Sequence, residues 1–203
     1  MAPSNPSHLL LVALPAWGHA RPLAALGARL VTESDTVLLT ILTTSIHLEK
    51  LRFEIDRQLE TGSPALQRIR QVPASLYAII ALIASVDASN PLAVIGEFAA
   101  SYAPAYEVLV QAKSITCATT GTVFEAAIAP TAIILDFFGI PQLHATRALT
   151  GRTVPVLAWV TGGASTFIRN WGPESIGGSG DFGGKVAAEA ARTGKPALEV
   201  GEQ

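Results

Sequence analysis

The sequence predicts an α/β domain built on a doubly wound, mainly parallel sheet, and three observations predict it. Apolar runs of strand length, HLLLVALP (8–15), TVLLTILTT (36–44), TAIILDFF (131–138) and TVPVLAWV (153–160), are nearly continuous rather than alternating, as strands covered on both faces require. Segments of helical spacing separate most of them, and parallel neighbours need crossovers of the kind helices supply. The 203 residues, 49% hydrophobic and 15% charged, suffice for one sizeable domain and are too apolar for a disordered chain.

The first strand is closed by Pro15-Ala16-Trp17-Gly18. From His19 to Glu33, residues Leu23, Leu26, Leu30 and Val31 fall at helical spacing, with Pro22 expected in the first turn, where a missing N–H is tolerated. Residues 36–44 read as the second strand and 45–60 as a second helix, whose Glu49/Lys50 and Glu54/Arg57 belong to a solvated face. Gly62-Ser63-Pro64 ends it. Arg68 and Arg70, alternating with Ile69 and Val72, predict a short half-exposed strand over 67–72.

A long helix is expected from Pro91 to Lys113, and a further helical segment from Gly121 to Ala129, stopped by Pro130. Residues 131–138 repeat the buried-strand signature with Asp136 near the end, 141–149 read as a helix, and 153–160 as the next strand. Beyond Phe167, Gly172, Gly177, Gly178, Gly180, Gly183, Gly184 and Gly194 predict a loop-rich stretch with one helix at Lys185 to Arg192. The domain is therefore expected to span 1–173, with 174–203 as its Gly-rich tail.

Composition narrows the function. Fourteen Lys plus Arg against 16 Asp plus Glu give a net charge of −2, so neither nucleic acid nor an anionic membrane is an expected partner. The N-terminus lacks the basic flank of a secretory signal, and the longest apolar stretch, Leu76 to Val86, is far short of the roughly 20 residues a spanning helix needs. The single cysteine, Cys117, cannot close an internal disulfide and reads as a small buried hydrophobe, fitting a reducing, cytoplasmic setting. G-x-S-x-G, G-x-G-x-x-G, G-x-x-x-x-G-K-[ST] and H-E-x-x-H are all missing, so hydrolase, nucleotide-loop and zinc-protease readings lack support, and neither metal nor resident cofactor is expected. The charged fraction is low for a soluble domain, so some apolar side chains are expected to face outward.

In an open parallel sheet the ligand crevice lies beyond those carboxyl ends, where the strand order reverses. If the 131–138 strand pairs with the first strand on the side away from the second, the loop holding His19 and the end holding Asp136 border one crevice. A histidine opening a helix meets free N–H groups and the positive end of the dipole, which disfavours a second positive charge there. A strand-end aspartate bonded to one ring nitrogen would fix the tautomer and leave the other nitrogen to take a proton. Each residue alone has a structural reading as well, as a helix-start residue or an N-cap.

LLLVALPAWGHARPLAALGARL (9–30), PTAIILDFFGIP (130–141) and VPVLAWVTGGAS (154–165) resemble, in order and spacing, three blocks of the family 1 UDP-sugar-dependent glycosyltransferases of the GT-B fold. The first carries that family's Pro-x-x-Gly-His-x-x-Pro turn as Pro15, Gly18, His19 and Pro22. The resemblance implies that His19 is the general base for an acceptor hydroxyl, that Asp136 is its partner, and that a hexosyl group is transferred with inversion and without metal. It implies an apolar acceptor pocket lined by Trp17, Gly18, Phe137 and Phe138, with Thr161 near acceptor or donor phosphates. In that family the UDP-sugar is held mainly by a C-terminal domain with a His-x-Gly-Trp-Asn segment and a later Asp-Gln pair, neither of which occurs in the 203 residues. The expectation is thus an acceptor-binding half, truncated or short, that does not turn over alone, with a donor domain or partner chain completing it. A non-catalytic small-molecule-binding α/β module is the alternative. A nicotinamide-binding Rossmann domain is disfavoured by the single glycine in PAWGHARP.

Overall fold

The computed structural model describes residues 7–59, 77–81, 90–125 and 128–195. The chain divides into two compact units, Met1–Thr161 and Gly162–Gln203.

In the first unit, the described residues form β1 (Ser7–Val12), α1 (Trp17–Glu33), β2 (Val37–Thr43), α2 (Ser45–Gln58), β3 (Tyr77–Ala81), α3 (Pro91–Val110), β4 (Ile115–Thr116), β5 (Val123–Phe124), β6 (Ala132–Asp136), α4 (Ile140–Thr150) and β7 (Val156–Trp159). Five strands make a parallel sheet of order β3-β2-β1-β6-β7, so β1 sits in the centre and the order reverses on its two sides. The doubly wound α/β class is as the sequence predicts. Right-handed crossovers then put α1 and α2 on one face and α4 on the other.

Register assigns the faces. A Cβ on Gly27 of α1 would meet Leu39 Cδ2 at 2.8 Å and Leu11 Cδ2 at 3.2 Å, so Leu11 and Leu39 point toward α1. This close approach is one place where only glycine fits without displacing packed leucines. Leu11 is paired with Ile134, so Ile134 and, two residues on, Asp136 share the α1 face. Leu10, Leu11, Val12, Leu23, Ala24, Leu39, Ile41, Leu42, Leu48 and Leu51 are buried in one continuous core.

On the other side, α3 and α4 are joined by a polar ladder. Thr146 and Thr150 donate their hydroxyls to the Gln142 and Thr146 carbonyls, at 2.8 and 2.9 Å. They therefore accept from Tyr102 and Tyr106, at 2.8 and 3.0 Å. The two tyrosine rings stack at 5.6 Å.

Several expectations change. Helix α1 begins at Trp17, not His19, so Pro22 is its sixth residue and lies inside the helix, where it supplies no N–H to the Gly18 carbonyl. The helical segment expected from Gly121 to Ala129 is not formed at Val123 and Phe124, which pair antiparallel with Thr116 and Ile115. Both are β-branched or aromatic residues that suit a pleated surface. The strand expected over 67–72 lies outside the described residues. β3 falls within the Leu76–Val86 stretch, which the sequence reading left without an element. Among the described residues no helix is long and apolar enough to cross a membrane.

The second unit contains α5 (Ala164–Trp171), a 3-10 turn at Glu174–Ile176 and α6 (Phe182–Thr193). Sequence reading found α6 three residues short at its start and missed α5. The Asp181 side chain caps α6 by accepting from Gly184 N–H at 2.9 Å. The glycines of this unit close a turn: a Cβ on Gly178 would collide with the Gly172 carbonyl oxygen.

At the amino end of the sheet, His8 is 1% exposed, its Nδ1–H donating to the Ile128 carbonyl at 2.6 Å and its Nε2 accepting from the Thr40 hydroxyl at 2.9 Å. Burial pushes its pKa below the ordinary 6.5, against the opposing pull of the Ile128 carbonyl. A folded value below the unfolded one gives stability that is complete above pH 6.5 and is lost as pH falls through the folded value. The urea midpoint should therefore drop as pH is lowered from 7.5 to 5, and His8→Gln should flatten that slope; an unchanged slope would place the titrating group elsewhere.

Candidate active site

The central placement of β1 brings two distant residues together. The loop after β1 turns into α1 through Ala16, whose carbonyl accepts from His19 N–H at 3.0 Å and Ala20 N–H at 2.9 Å. His19 thus sits in the first helical turn, above the carboxyl ends of β1 and β6. Asp136, the last residue of β6, is 1% exposed and points to the same face. Its Oδ2 lies 2.8 Å from His19 Nδ1 across a sequence separation of 117. Its Oδ1 accepts from Phe138 N–H at 3.0 Å, so both carboxylate oxygens have a donor.

A third side chain reaches the same nitrogen. Thr161, two residues past β7, places Oγ1 3.1 Å from His19 Nδ1. An ionised carboxylate only accepts, so the proton of the His19–Asp136 bond resides on Nδ1. Nε2 has no hydrogen-bond partner among the described residues. The imidazole is 21% exposed, buried enough to be held and open enough to be reached.

Phe138 flanks this ring at 5.6 Å between centroids, and Phe137 lies 4.0 Å from Phe138. Phe138 is 46% exposed and Ile140 58%, so apolar side chains face outward beyond β6.

The remaining predicted residues go elsewhere. Trp17 and His19 are two residues apart on α1 and so project in nearly opposite directions. Trp17 faces α2, 6.0 Å from the His47 ring and under Lys50 Nζ at 5.9 Å. With Gly18, Arg21, Pro22 and Glu54 it borders a pocket of about 390 Å³ between α1 and α2. Phe137 borders another, of about 250 Å³, with Asp136, Ile140, Leu143, Arg147 and Val156. The structure therefore gathers His19, Asp136, Phe138 and Thr161 at one point, and sets Trp17 and Gly18 against the α2 side.

Sequence reasoning missed the Phe138 amide on Asp136 and the meeting of Asp136 and Thr161 at one nitrogen. The first had a local signal, an aspartate two residues before a strand-to-helix turn, the spacing of an Asx-turn. The second had none, since it depends on the register of β6 and β7. Among the described residues no three His, Cys, Asp or Glu side chains converge as metal ligands would.

The coupling of the pair is measurable. His19→Ala leaves the Asp136 carboxylate buried with one donor fewer, a loss expected to cost about 1–3 kcal/mol in urea unfolding at pH 7. Adding Asp136→Asn should recover most of that, because the stranded charge is gone; strictly additive losses would show the two side chains to be uncoupled.

No protein-family model matches the chain, and no curated protein matches it. Among solved structures it is similar to UGT89C1 of Arabidopsis thaliana complexed with UDP-L-rhamnose, at 14% identity over 76% of this chain and 36% of that one, TM-score 0.46. It is also similar to UGT2 of Phytolacca americana complexed with UDP-2-fluoro-glucose and pterostilbene, at 16% identity over 77% and 30%, TM-score 0.45. A third is UGT71G1 of Medicago truncatula complexed with UDP-glucose, at 18% identity over 81% and 31%, TM-score 0.43. The chain spans about a third of the length of each.

Proposed function

We propose that this chain is the acceptor-binding, base-carrying half of a glycosyltransferase that moves a sugar from a UDP-sugar to a hydroxyl of a small apolar acceptor. The observation that carries the reading is the His19–Asp136 pair at 2.8 Å, with Nε2 left free at the carboxyl ends of the strands. The three sequence blocks that resemble family 1 glycosyltransferases support it, since they supply these two residues at matching positions.

The chemistry of this reading is the one the sequence resemblance implies, with the residues of the site in its roles. An acceptor hydroxyl presented to Nε2 gives up its proton as its oxygen attacks the anomeric carbon. The bond from that carbon to the diphosphate oxygen breaks, UDP leaves with the electron pair, and attack opposite the leaving group inverts the centre. The positive charge gathered on the imidazole is stabilised by the Asp136 carboxylate aimed at Nδ1. Proton removal by a positioned base contributes about 10²–10⁴-fold, and holding acceptor against donor contributes more. Phe138 offers the acceptor an apolar surface beside the base. In the family the sequence resembles, donor recognition comes mainly from a C-terminal domain, and the part assigned to these residues is acceptor binding.

Binding and transfer are tested together. Titration of the chain with pterostilbene, followed through the His19 ring resonances, should give saturable shifts that Phe138→Ala weakens roughly tenfold. With the donor-binding half of Phytolacca americana UGT2 added, transfer from UDP-glucose should fall about 10²–10⁴-fold on His19→Ala. Unchanged transfer in that variant overturns the base assignment, and saturable binding with no transfer in the mixture assigns the chain to non-catalytic binding modules.

A further inference from the structure

The His19 imidazole is approached by two side chains from two neighbouring strand ends, and both approach the same atom. Asp136 Oδ2 lies 2.8 Å from Nδ1 and Thr161 Oγ1 lies 3.1 Å from it. We propose that Thr161 is a positioning residue, its hydroxyl accepting a second share of the Nδ1–H bond and clamping the imidazole plane so that Nε2 keeps one direction. The functional consequence rests on the reading of His19 as a base, while the clamp itself is a property of the ring.

The arrangement follows from the sheet. β6 and β7 run parallel with Asp136 beside Trp159, and the Phe137 N–H donates to the Trp159 carbonyl at 3.0 Å, extending the pairing past the end of β6. Trp159 shares the face of Asp136, and the alternation of the chain returns Thr161 to that face two residues later. The carboxylate and the hydroxyl therefore converge from adjacent strand ends onto a ring presented by the helix after β1.

Convergence on a single nitrogen has a specific effect. A neutral imidazole has one N–H; the carboxylate, which only accepts, holds it on Nδ1, and the Thr161 hydroxyl then accepts a second share of it while Nε2 stays unprotonated. A half-turn of the ring about its Cβ–Cγ bond exchanges Nδ1 with a carbon and breaks both contacts at once. With Asp136 alone the ring keeps one anchor and can pivot about it; with Thr161 the two oxygens and Nδ1 define a plane. Reaction with a bound hydroxyl depends on the direction of the Nε2 lone pair, so a pivoting ring reduces the rate of the chemical step more than it reduces acceptor affinity. Serine preserves the hydroxyl; valine preserves the shape without it.

The test compares wild type, Thr161→Val and Thr161→Ser by the His19 Cε1–H resonance and its relaxation in the isolated chain. The expected result is one narrow signal in wild type and Thr161→Ser, and exchange broadening or a second signal in Thr161→Val. A valine signal as narrow and unshifted as wild type overturns the clamp. Equal broadening in both variants overturns it too, because the methyl group rather than the hydroxyl would then hold the ring. In the mixture that supports transfer, Thr161→Val should lower kcat about 3–10-fold, the worth of one neutral hydrogen bond, with acceptor KM changed less than about twofold. A KM effect without a kcat effect would make Thr161 an acceptor contact instead. Should no mixture support transfer while the ring signals behave as expected, the base reading fails and the clamp stands.

Discussion

Everything at this site depends on β1 having two parallel neighbours. Pairing with β2 on one side and β6 on the other makes β1 the point where the strand order reverses. The crevice at its carboxyl end is therefore built from segments far apart in sequence. The register Leu11↔Ile134 decides which face each β6 side chain takes, and so puts Asp136 on the side of α1. A slip of one residue would turn the carboxylate toward α4 and leave His19 without it. Gly27 is part of the same constraint, since it lets α1 approach Leu11 and Leu39 closely enough to hold the helix start over the strand ends.

Once the frame is set, the Asp136 carboxylate is fully engaged. Asp136 is buried, yet each of its oxygens has a donor, one from the imidazole and one from the Phe138 amide. Burial of a carboxylate is tolerable on those terms and costly otherwise. The same contacts leave Nε2 of His19 without a partner among the described residues. The aromatic Phe138 stands beside it, so the open nitrogen borders an apolar surface rather than a charged one.

Much of this was legible in the sequence because buried parallel strands write themselves as unbroken aliphatic runs. HLLLVALP, TVLLTILTT and TAIILDFF predict β1, β2 and β6, and the reversal of strand order supposed at β1 is present and brings His19 and Asp136 to one crevice. What was not legible depended on direction or on tertiary override. Trp17 stands two residues from His19 in sequence, but a helix that begins at Trp17 turns the two side chains away from each other. Pro22 predicts a first turn at its own position, whereas the helix starts at Trp17 and runs through it. Val123 and Phe124 were read by helical spacing although their residue types suit the short antiparallel pair they form. The Tyr–Thr ladder between α3 and α4 has no signature until the helices are side by side, and neither does the approach of Thr161 to His19.

The central claim is that Asp136 holds the proton of a neutral His19 on Nδ1 and leaves Nε2 as an open base. The ring nitrogen shifts of His19 at neutral pH, measured on labelled protein, test it most directly. The account predicts a protonated-type Nδ1 and an unprotonated-type Nε2 in wild type, with the pattern lost or reversed in Asp136→Asn. A wild-type ring protonated on Nε2, or a pattern indifferent to Asp136→Asn, would contradict it.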